Sequence, residues 1–325
     1  MSVSYEKLQL QRFDPDALLH VIDNTQMEHR LLGGGLLDAC WQRLELEDVT
    51  IMTGDYGFPV LVRGSIPQGA LYVGSHFRFS DEVRMNYHAL QVDQLQLYAP
   101  GKELHYITRA RSEWIMLAVS PKRLQETVLA LLDAPLEWPR RDHLYLDLQP
   151  AVAEAWRQGL RSLLEAGRYL CQLTAGCLTN WLNSEGLLRL LIQTIASALP
   201  QALPSSPLPV VRKRCLMALE SSIEHWLAQP FEDLRITKLA GTSERLVQLA
   251  SHEIFGVTPH RWCKLARLNA AYRDLLRGTC TSVTTVCQRW GFEHMGRFAM
   301  DYRALFGESP KETLLRVKAE LQASR

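Results

Sequence analysis

Apolar positions divide the chain into two regimes. Between residues 55 and 120 they fall in short runs: Val60-Leu61-Val62-Arg63, Leu71-Tyr72-Val73, Leu95-Gln96-Leu97-Tyr98 and Trp114-Ile115-Met116-Leu117-Ala118-Val119. Turn formers separate them, namely Asp55-Tyr56-Gly57, Ile66-Pro67-Gln68-Gly69 and Pro100-Gly101-Lys102. Short apolar runs bounded in this way predict strands. From Pro121 the period lengthens. Leu124, Val128, Leu131 and Leu132 return at helical spacing, as do Val152, Trp156, Leu160, Leu163 and Leu164. The first part of the chain therefore reads as a small β-barrel followed by helices.

Gln201-Ala202-Leu203-Pro204-Ser205-Ser206-Pro207-Leu208-Pro209 interrupts that pattern. Prolines at this density forbid a continuing helix, and the serines are poor core material. The predicted organisation is a domain over 1–200, a linker over 201–210 and a second domain over 211–325.

Beyond the linker every periodic segment is helical. Thr258-Pro259 sets an N-cap oxygen before a proline at the first helical position, where the missing N–H costs nothing. Ser309-Pro310-Lys311-Glu312 has the spacing of a capping box, and Thr242-Ser243 can cap a third helix. The stretch from Pro259 to Leu276 then predicts one helix of about 27 Å, at roughly 1.5 Å per residue.

Two similar units flank that rod. In the first, Leu234–Gly241 leads through Thr242-Ser243 into Glu244–Ala250; in the second, Val283–Trp290 leads through Gly291-Phe292-Glu293-His294 into Met295–Tyr302. Each is a short helix, a tight turn and a second helix that is apolar on one face only. Such units set their second helix in the major groove of DNA, with its early residues toward base edges. A rod of about 27 Å lets two of them reach successive grooves, since one turn of DNA is about 34–36 Å. Phe298, Tyr302 and Phe306 recur at helical spacing and read as buried core.

Charge sharpens this picture. The net charge is +1, yet from Val210 onward there are 18 Lys/Arg, 13 of them arginine, against 12 Asp/Glu, while the preceding residues hold 18 Lys/Arg against 23 Asp/Glu. Arginine excess in one domain suits a polyanion, because guanidinium pairs well with phosphate; the same charges also suit a solvated helical surface. Composition is that of an ordinary globular chain, with 47% hydrophobic and 22% charged residues. The opening Met1–Lys7 lacks a secretory pattern, and no apolar run approaches the roughly 20 residues that span a bilayer. The seven cysteines are an odd number without regular spacing, which suits free thiols in a reducing cytoplasm.

Catalysis finds little support. His29-Arg30-Leu31-Leu32-Gly33-Gly34-Gly35 has the look of an oxyanion-hole glycine run, but no nucleophile elbow accompanies it. Phosphate-binding and dinucleotide fingerprints are absent, so no cofactor is expected. Cys171 with Cys177, and His260 with Cys263, lack the further ligands of a zinc site. The chain does not read as an enzyme.

The segment from Gly291-Phe292 through Arg297-Phe298, Tyr302 and Leu305-Phe306-Gly307 to Ser309-Pro310 resembles the signature of AraC/XylS-family DNA-binding domains. Gly256-Val257-Thr258-Pro259-His260-Arg261-Trp262 and Arg267-Leu268-Asn269-Ala270 are similar to that family's segment between the two units. The resemblance covers roughly residues 212–318. Within the family, Trp290-Gly291-Phe292 with His294, and Trp262, look most like the branch containing the ethanolamine-operon regulator, with pseudomonad virulence and quorum regulators as neighbours. The fold class this implies is α+β: a cupin-like amino-terminal barrel with helices, then an all-α domain of two helix-turn-helix units joined by a long helix.

The resemblance also implies the DNA-facing positions. They are Ser243, Glu244, Arg245, Gln248 and Leu249 in the first unit, and His294, Met295, Gly296, Arg297 and Met300 in the second. Arg245 can read guanine and Gln248 adenine, although Arg245 equally suits a phosphate contact. Met295 and Met300 offer apolar contact only. His294, Gly296 and Ser251 depart from the residues common in the family, which places more of the specificity on the first unit. The implied function is a sequence-specific transcription activator with promoter DNA and RNA polymerase as partners; a helical protein-interaction module without DNA binding is the alternative. The family further implies an amino-terminal domain that senses a small-molecule effector or forms a homodimer. Leu97–His105 resembles a barrel hairpin, a pocket can gather Tyr98, His105 and Trp114, and the leucine-rich helices within 150–200 are candidates for a dimer seam or for intradomain packing.

Overall fold

The structure, a computed structural model, describes residues 3–22, 25–46, 48–132, 143–172, 184–198, 210–226, 233–278, 280 and 282–323. The expected linker at 201–210 lies outside these except for its last residue, and Cys177 also lies outside them. Among the described residues the strands are β1 (Val3–Leu10), β2 (Glu28–Leu31), β3 (Ala39–Leu46), β4 (Val49–Tyr56), β5 (Val60–Ser65), β6 (Leu71–Phe79), β7 (Val83–Met85), β8 (His88–Ala89), β9 (Gln94–Tyr98), β10 (Glu103–Thr108), β11 (Ser112–Val119) and β12 (His143–Asp147). The helices are α1 (Pro121–Leu132), α2 (Pro150–Gln172), α3 (Ser184–Ala198), α4 (Val210–Trp226), α5 (Asp233–Ala240), α6 (Glu244–Phe255), α7 (Pro259–Leu276), α8 (Val283–Arg289), α9 (Met295–Phe306) and α10 (Pro310–Ala323).

The strands form two open antiparallel sheets, ordered β1-β3-β4-β11-β6-β9-β12 and β2-β5-β10-β7-β8. This corrects the expected barrel: neither sheet closes on itself. It also corrects the expected hairpin over Leu97–His105. Strand β9 pairs with β6 and β12 while β10 pairs with β5 and β7, so the turn between them is a corner that carries the chain from one sheet to the other. Gly101 takes φ +74 at that corner, where a Cβ would crowd the Gln68 side chain.

Alternation along the strands sorts the side chains into layers. On β11, Trp114, Met116 and Ala118 enter the core between the sheets, while Ile115, Leu117 and Val119 face the other way toward α1, α2 and α3. On β5, Val60 and Val62 face inward, and Leu61 faces outward into a third core formed with α4, α5, α6 and α7. The order of layers is therefore helices, long sheet, short sheet, helices. The leucines of α2 and α3, among them Leu160, Leu164, Leu188 and Leu191, are buried against the long sheet, which is intradomain packing.

Helix α7 has the bounds predicted for the rod, with Thr258 Oγ1 accepting from the Arg261 N–H at 3.3 Å. It is not a free rod. Its side chains Leu265, Leu268, Ala271, Tyr272 and Leu275 belong to the same core as Phe13, Leu31 and Phe58 of the amino-terminal region. Asn269, 2% exposed, accepts from the Leu31 N–H at 2.8 Å and donates to the Leu31 and Leu265 carbonyls at 2.9 and 2.8 Å. Because β2 is an edge strand, this side chain occupies the place of a missing neighbour. The Tyr272 hydroxyl donates to the Phe13 carbonyl at 2.7 Å, and Arg273 pairs with Glu28 at 2.7 Å. Truncation of Asn269 leaves both Leu31 backbone groups unsatisfied, so Asn269→Ala is expected to lower stability by about 2–3 kcal/mol. Urea unfolding followed by tryptophan fluorescence measures this.

Candidate nucleic-acid interface

The first unit is α5, a turn and α6. Gly241 at φ +59 ends α5, with the Thr242 N–H donating to the Thr237 carbonyl at 3.2 Å. Ser243 stands at the N-cap of α6 with extended backbone, but its hydroxyl makes no capping bond. Val247, Ala250, Ile254 and Phe255 turn inward, and Ser243, Glu244, Arg245, Gln248 and Leu249 are all exposed. Gln248 Nε2 donates to Glu244 Oε1 at 2.8 Å, which holds both side chains along the exposed face. Ser251 is fully buried, and its hydroxyl donates to the Val257 carbonyl at 2.8 Å. A small polar side chain here ties the end of α6 to the loop before α7, where a larger apolar one would only fill space.

The second unit is α8, a turn and α9. Ser282 caps α8 by accepting from the Thr285 N–H at 3.1 Å. Gly291, at φ +70, turns the chain, and the Phe292 N–H donates to the Cys287 carbonyl at 3.0 Å. Phe298, Tyr302 and Phe306 form the predicted buried stripe, and the Phe306 ring stacks on Tyr272 of α7 with centroids 4.2 Å apart. His294, at the N-cap, makes no side-chain cap bond. His294, Met295, Gly296, Arg297 and Met300 are exposed, Met300 to 72%. The capping box of α10 is present: Glu312 accepts from the Ser309 N–H at 2.6 Å.

Both heads are fixed to α7. Trp262 stacks on Phe255 at 3.9 Å, which joins α6 to the start of the rod. Asp274, near its end, accepts from Trp290 Nε1 and pairs with Arg289, each at 2.9 Å, and Lys264 pairs with Asp301 of α9. Several arginines of this region serve such contacts. Arg212, Arg273, Arg277, Arg289 and Arg316 are all ion-paired. Arg245 and Arg297, on the exposed faces of α6 and α9, have no acidic partner among the described residues. Arg214 of α4 and Arg261 of α7 are likewise exposed with no ion pair among the described residues, so positive charge is left both on the two faces and beside them. Leu246, 43% exposed beside Arg245, also lies on this surface and was missed because its spacing fits a core position as well as an exposed one.

A second site lies between the sheets. A cavity of about 40 Å³ is lined by apolar side chains such as Met27, Val62, Leu104 and Trp114, together with Tyr56, Tyr106, Ser75, His76 and Gln96. Of the three residues expected to form a pocket, Trp114 lines it and Tyr98 bonds to its lining Gln96 at 3.3 Å. His105 does not: alternation on β10 turns it outward, where Nδ1 lies 3.2 Å from Glu220 of α4. Gln96 Nε2 lies 3.4 Å from His76 Nδ1, and neither His76 Nε2 nor the Ser75 hydroxyl has a hydrogen-bond partner among the described residues. Burial pulls the pKa of His76 down to about 3. Burial also lowers His29 to about 4, against the opposing pull of the Met27 carbonyl and Glu28. Among the described residues, no group of three or more His, Cys, Asp or Glu gathers as a metal site, and no helix is long and apolar enough to cross a membrane.

Residues 236–316 match the family model described as "Helix-turn-helix domain". This segment is a helix-turn-helix domain. The chain is 30% identical over 207 residues to the "Probable thc operon regulatory protein" of Rhodococcus erythropolis, a match spanning 62% of this chain and 60% of that protein. It is 34% identical over 90 residues to the "XylDLEGF operon transcriptional activator" of Pseudomonas putida, spanning 27% of this chain and 28% of that one. A solved structure described as a "probable AraC family transcriptional regulator from Rhodopseudomonas palustris" is 35% identical, covering 32% of this chain and 96% of that chain with a TM-score of 0.31.

Two outcomes follow from this geometry. A Cβ at Gly296 would meet nothing within 4 Å, so Gly296→Ala is expected to raise stability by about 0.5 kcal/mol through helix propensity alone, measured as the denaturant midpoint. His29 and His76 refuse protons in the fold that the unfolded chain accepts near pH 6.5. Stability therefore falls as pH drops from about 6.5 toward 4, and His76→Gln removes part of that slope in urea titrations run across the same range.

Proposed function

We propose that the chain is a sequence-specific transcription activator that reads two adjacent major-groove segments of promoter DNA, α6 in one and α9 in the next. The observation that carries this is the exposure of all ten expected positions on two helices whose opposite faces are core. Arg245 and Gln248 supply bidentate hydrogen bonds to base edges, and Met295 and Met300 supply apolar contact to thymine methyls. RNA polymerase is the protein partner in this reading, the site of action is the cytoplasm, and the chain is not an enzyme. Its placement near the ethanolamine-operon branch, with the pseudomonad virulence and quorum regulators as neighbours, rests on Trp262 and on Trp290-Gly291-Phe292. The division into 1–200, 201–210 and 211–325 is part of the same reading.

The cavity between the sheets, taken as the core of the cupin-like unit, is the place for a small-molecule effector. Its apolar walls, with His76 Nε2 and the Ser75 hydroxyl lacking partners among the described residues, suit an apolar molecule carrying one polar group. A homodimer would use the outward faces of α1 and α2, where Leu129, Leu132 and Tyr169 are exposed.

The test is fluorescence anisotropy on duplexes that the full-length protein selects from a random library. Arg245→Ala and Gln248→Ala are each expected to weaken binding about tenfold, since a bidentate base contact is worth about 1–3 kcal/mol. Sequence preference should relax at one position per variant. Affinity should fall steeply between low and moderate salt. A folded double variant that keeps full affinity and preference sinks the assignment of α6, and salt-insensitive association with a protein instead favours the interaction-module reading.

A further inference from the structure

We propose that the amino-terminal region sets the spacing of the two reading helices, with Arg109 as a positioning residue for α6. This inference rests on the DNA-reading function above and concerns how that function is tuned.

Arg109 stands in the tight turn between β10 and β11. The turn is fixed by Thr108, fully buried, whose hydroxyl donates to the Ala110 carbonyl at 2.6 Å. From it the guanidinium crosses to the last turn of α6. Its Nη2 donates to the Glu253 carbonyl at 2.6 Å and to the His252 carbonyl at 3.2 Å, while Glu82 holds the same group at 3.6 Å. The His252 carbonyl also accepts from the Gly256 N–H at 3.0 Å, whereas the carbonyls after it lie beyond the last intrahelical bond and carry the negative end of the helix dipole, so a cation there is a cap. Gly256 follows at φ +72, and a Cβ on it would stand 2.8 Å from Arg109 Nε. The glycine both ends the helix and lets the arginine pass.

The second head is held in the same manner by a different device. The glycine run 33–35 lies against the last turn of α9, where a Cβ on Gly34 would collide with the Ala304 carbonyl oxygen. Between these two contacts, Asn269 pins the middle of α7 to Leu31. The amino-terminal region therefore grips both reading helices by their carboxy-terminal ends and the rod at its centre. The reading residues sit toward the opposite, amino-terminal ends, so this grip restricts the heads without covering them.

The experiment uses full-length protein and the duplex it selects from a random library, with the two contacted segments mapped by footprinting. A derivative duplex carries one extra base pair between those segments, a displacement of about 3.4 Å along the helix axis with a turn of about 35°. Wild type is expected to bind the derivative at least tenfold more weakly. Arg109→Ala should bind the selected duplex about threefold more weakly yet discriminate between the two duplexes less than threefold, and Arg109→Lys should restore most of the discrimination. Gly34→Val, which pushes on α9 instead, should shift the preferred spacing by its own route. An Arg109→Ala protein that keeps the tenfold discrimination, or loses affinity equally for both duplexes, overturns the proposal. A wild type that selects no duplex overturns the DNA-reading function itself, and this inference with it.

Discussion

Helix α7 is the member on which the other elements depend, and it is held by a buried amide. Asn269 uses three of its hydrogen-bonding positions, two of them on the backbone of one residue, Leu31. With water excluded, those groups have no alternative partners, so the rod has one place and one rotation on the edge of the short sheet. Tyr272 extends the arrangement in both directions. Its hydroxyl reaches Phe13, and its ring carries Phe306 and, through it, the second head. Losing the pairing at Leu31 would therefore loosen the link between sheet and helices before it loosened either alone.

The layered order connects the cavity to the helices along a short path. Met27 and Tyr56 line the cavity, and both bond to His29: the Met27 carbonyl to Nδ1 at 2.7 Å, the Tyr56 hydroxyl to Nε2 at 2.9 Å. His29 lies in β2, two residues before Leu31 and one after Glu28, which pairs with Arg273 of α7. A change in cavity volume meets this strand directly, because packed interiors transmit displacement with little compression.

The charge distribution serves two ends at once. Five arginines of the carboxy-terminal region brace helices against each other or against the amino-terminal region, where their forked donors suit carboxylates. Among those without an ion pair, Arg245 and Arg297 lie on the two exposed faces, beside leucines and methionines that no core claims. A surface mixing unpaired guanidinium with exposed apolar groups is suited to the phosphates and base edges of a groove rather than to bulk water.

The sequence alone determined the local parts: the rod from its Thr-Pro start, the turn at Gly291, the capping box at Ser309, the inward stripe of Phe298, Tyr302 and Phe306, and hence which face of α9 is left outside. These are short-range consequences of periodicity, capping and glycine conformation, which a single chain segment encodes. Tertiary structure decided the rest. That β9 and β10 part into different sheets, that His105 turns outward to Glu220, and that the sheets stay open depends on which distant strands pair, and alternation is blind to partners. Gly34 and Asn269 were visible as residues but not as contacts, because the meaning of each lies in a backbone some 240–270 positions away.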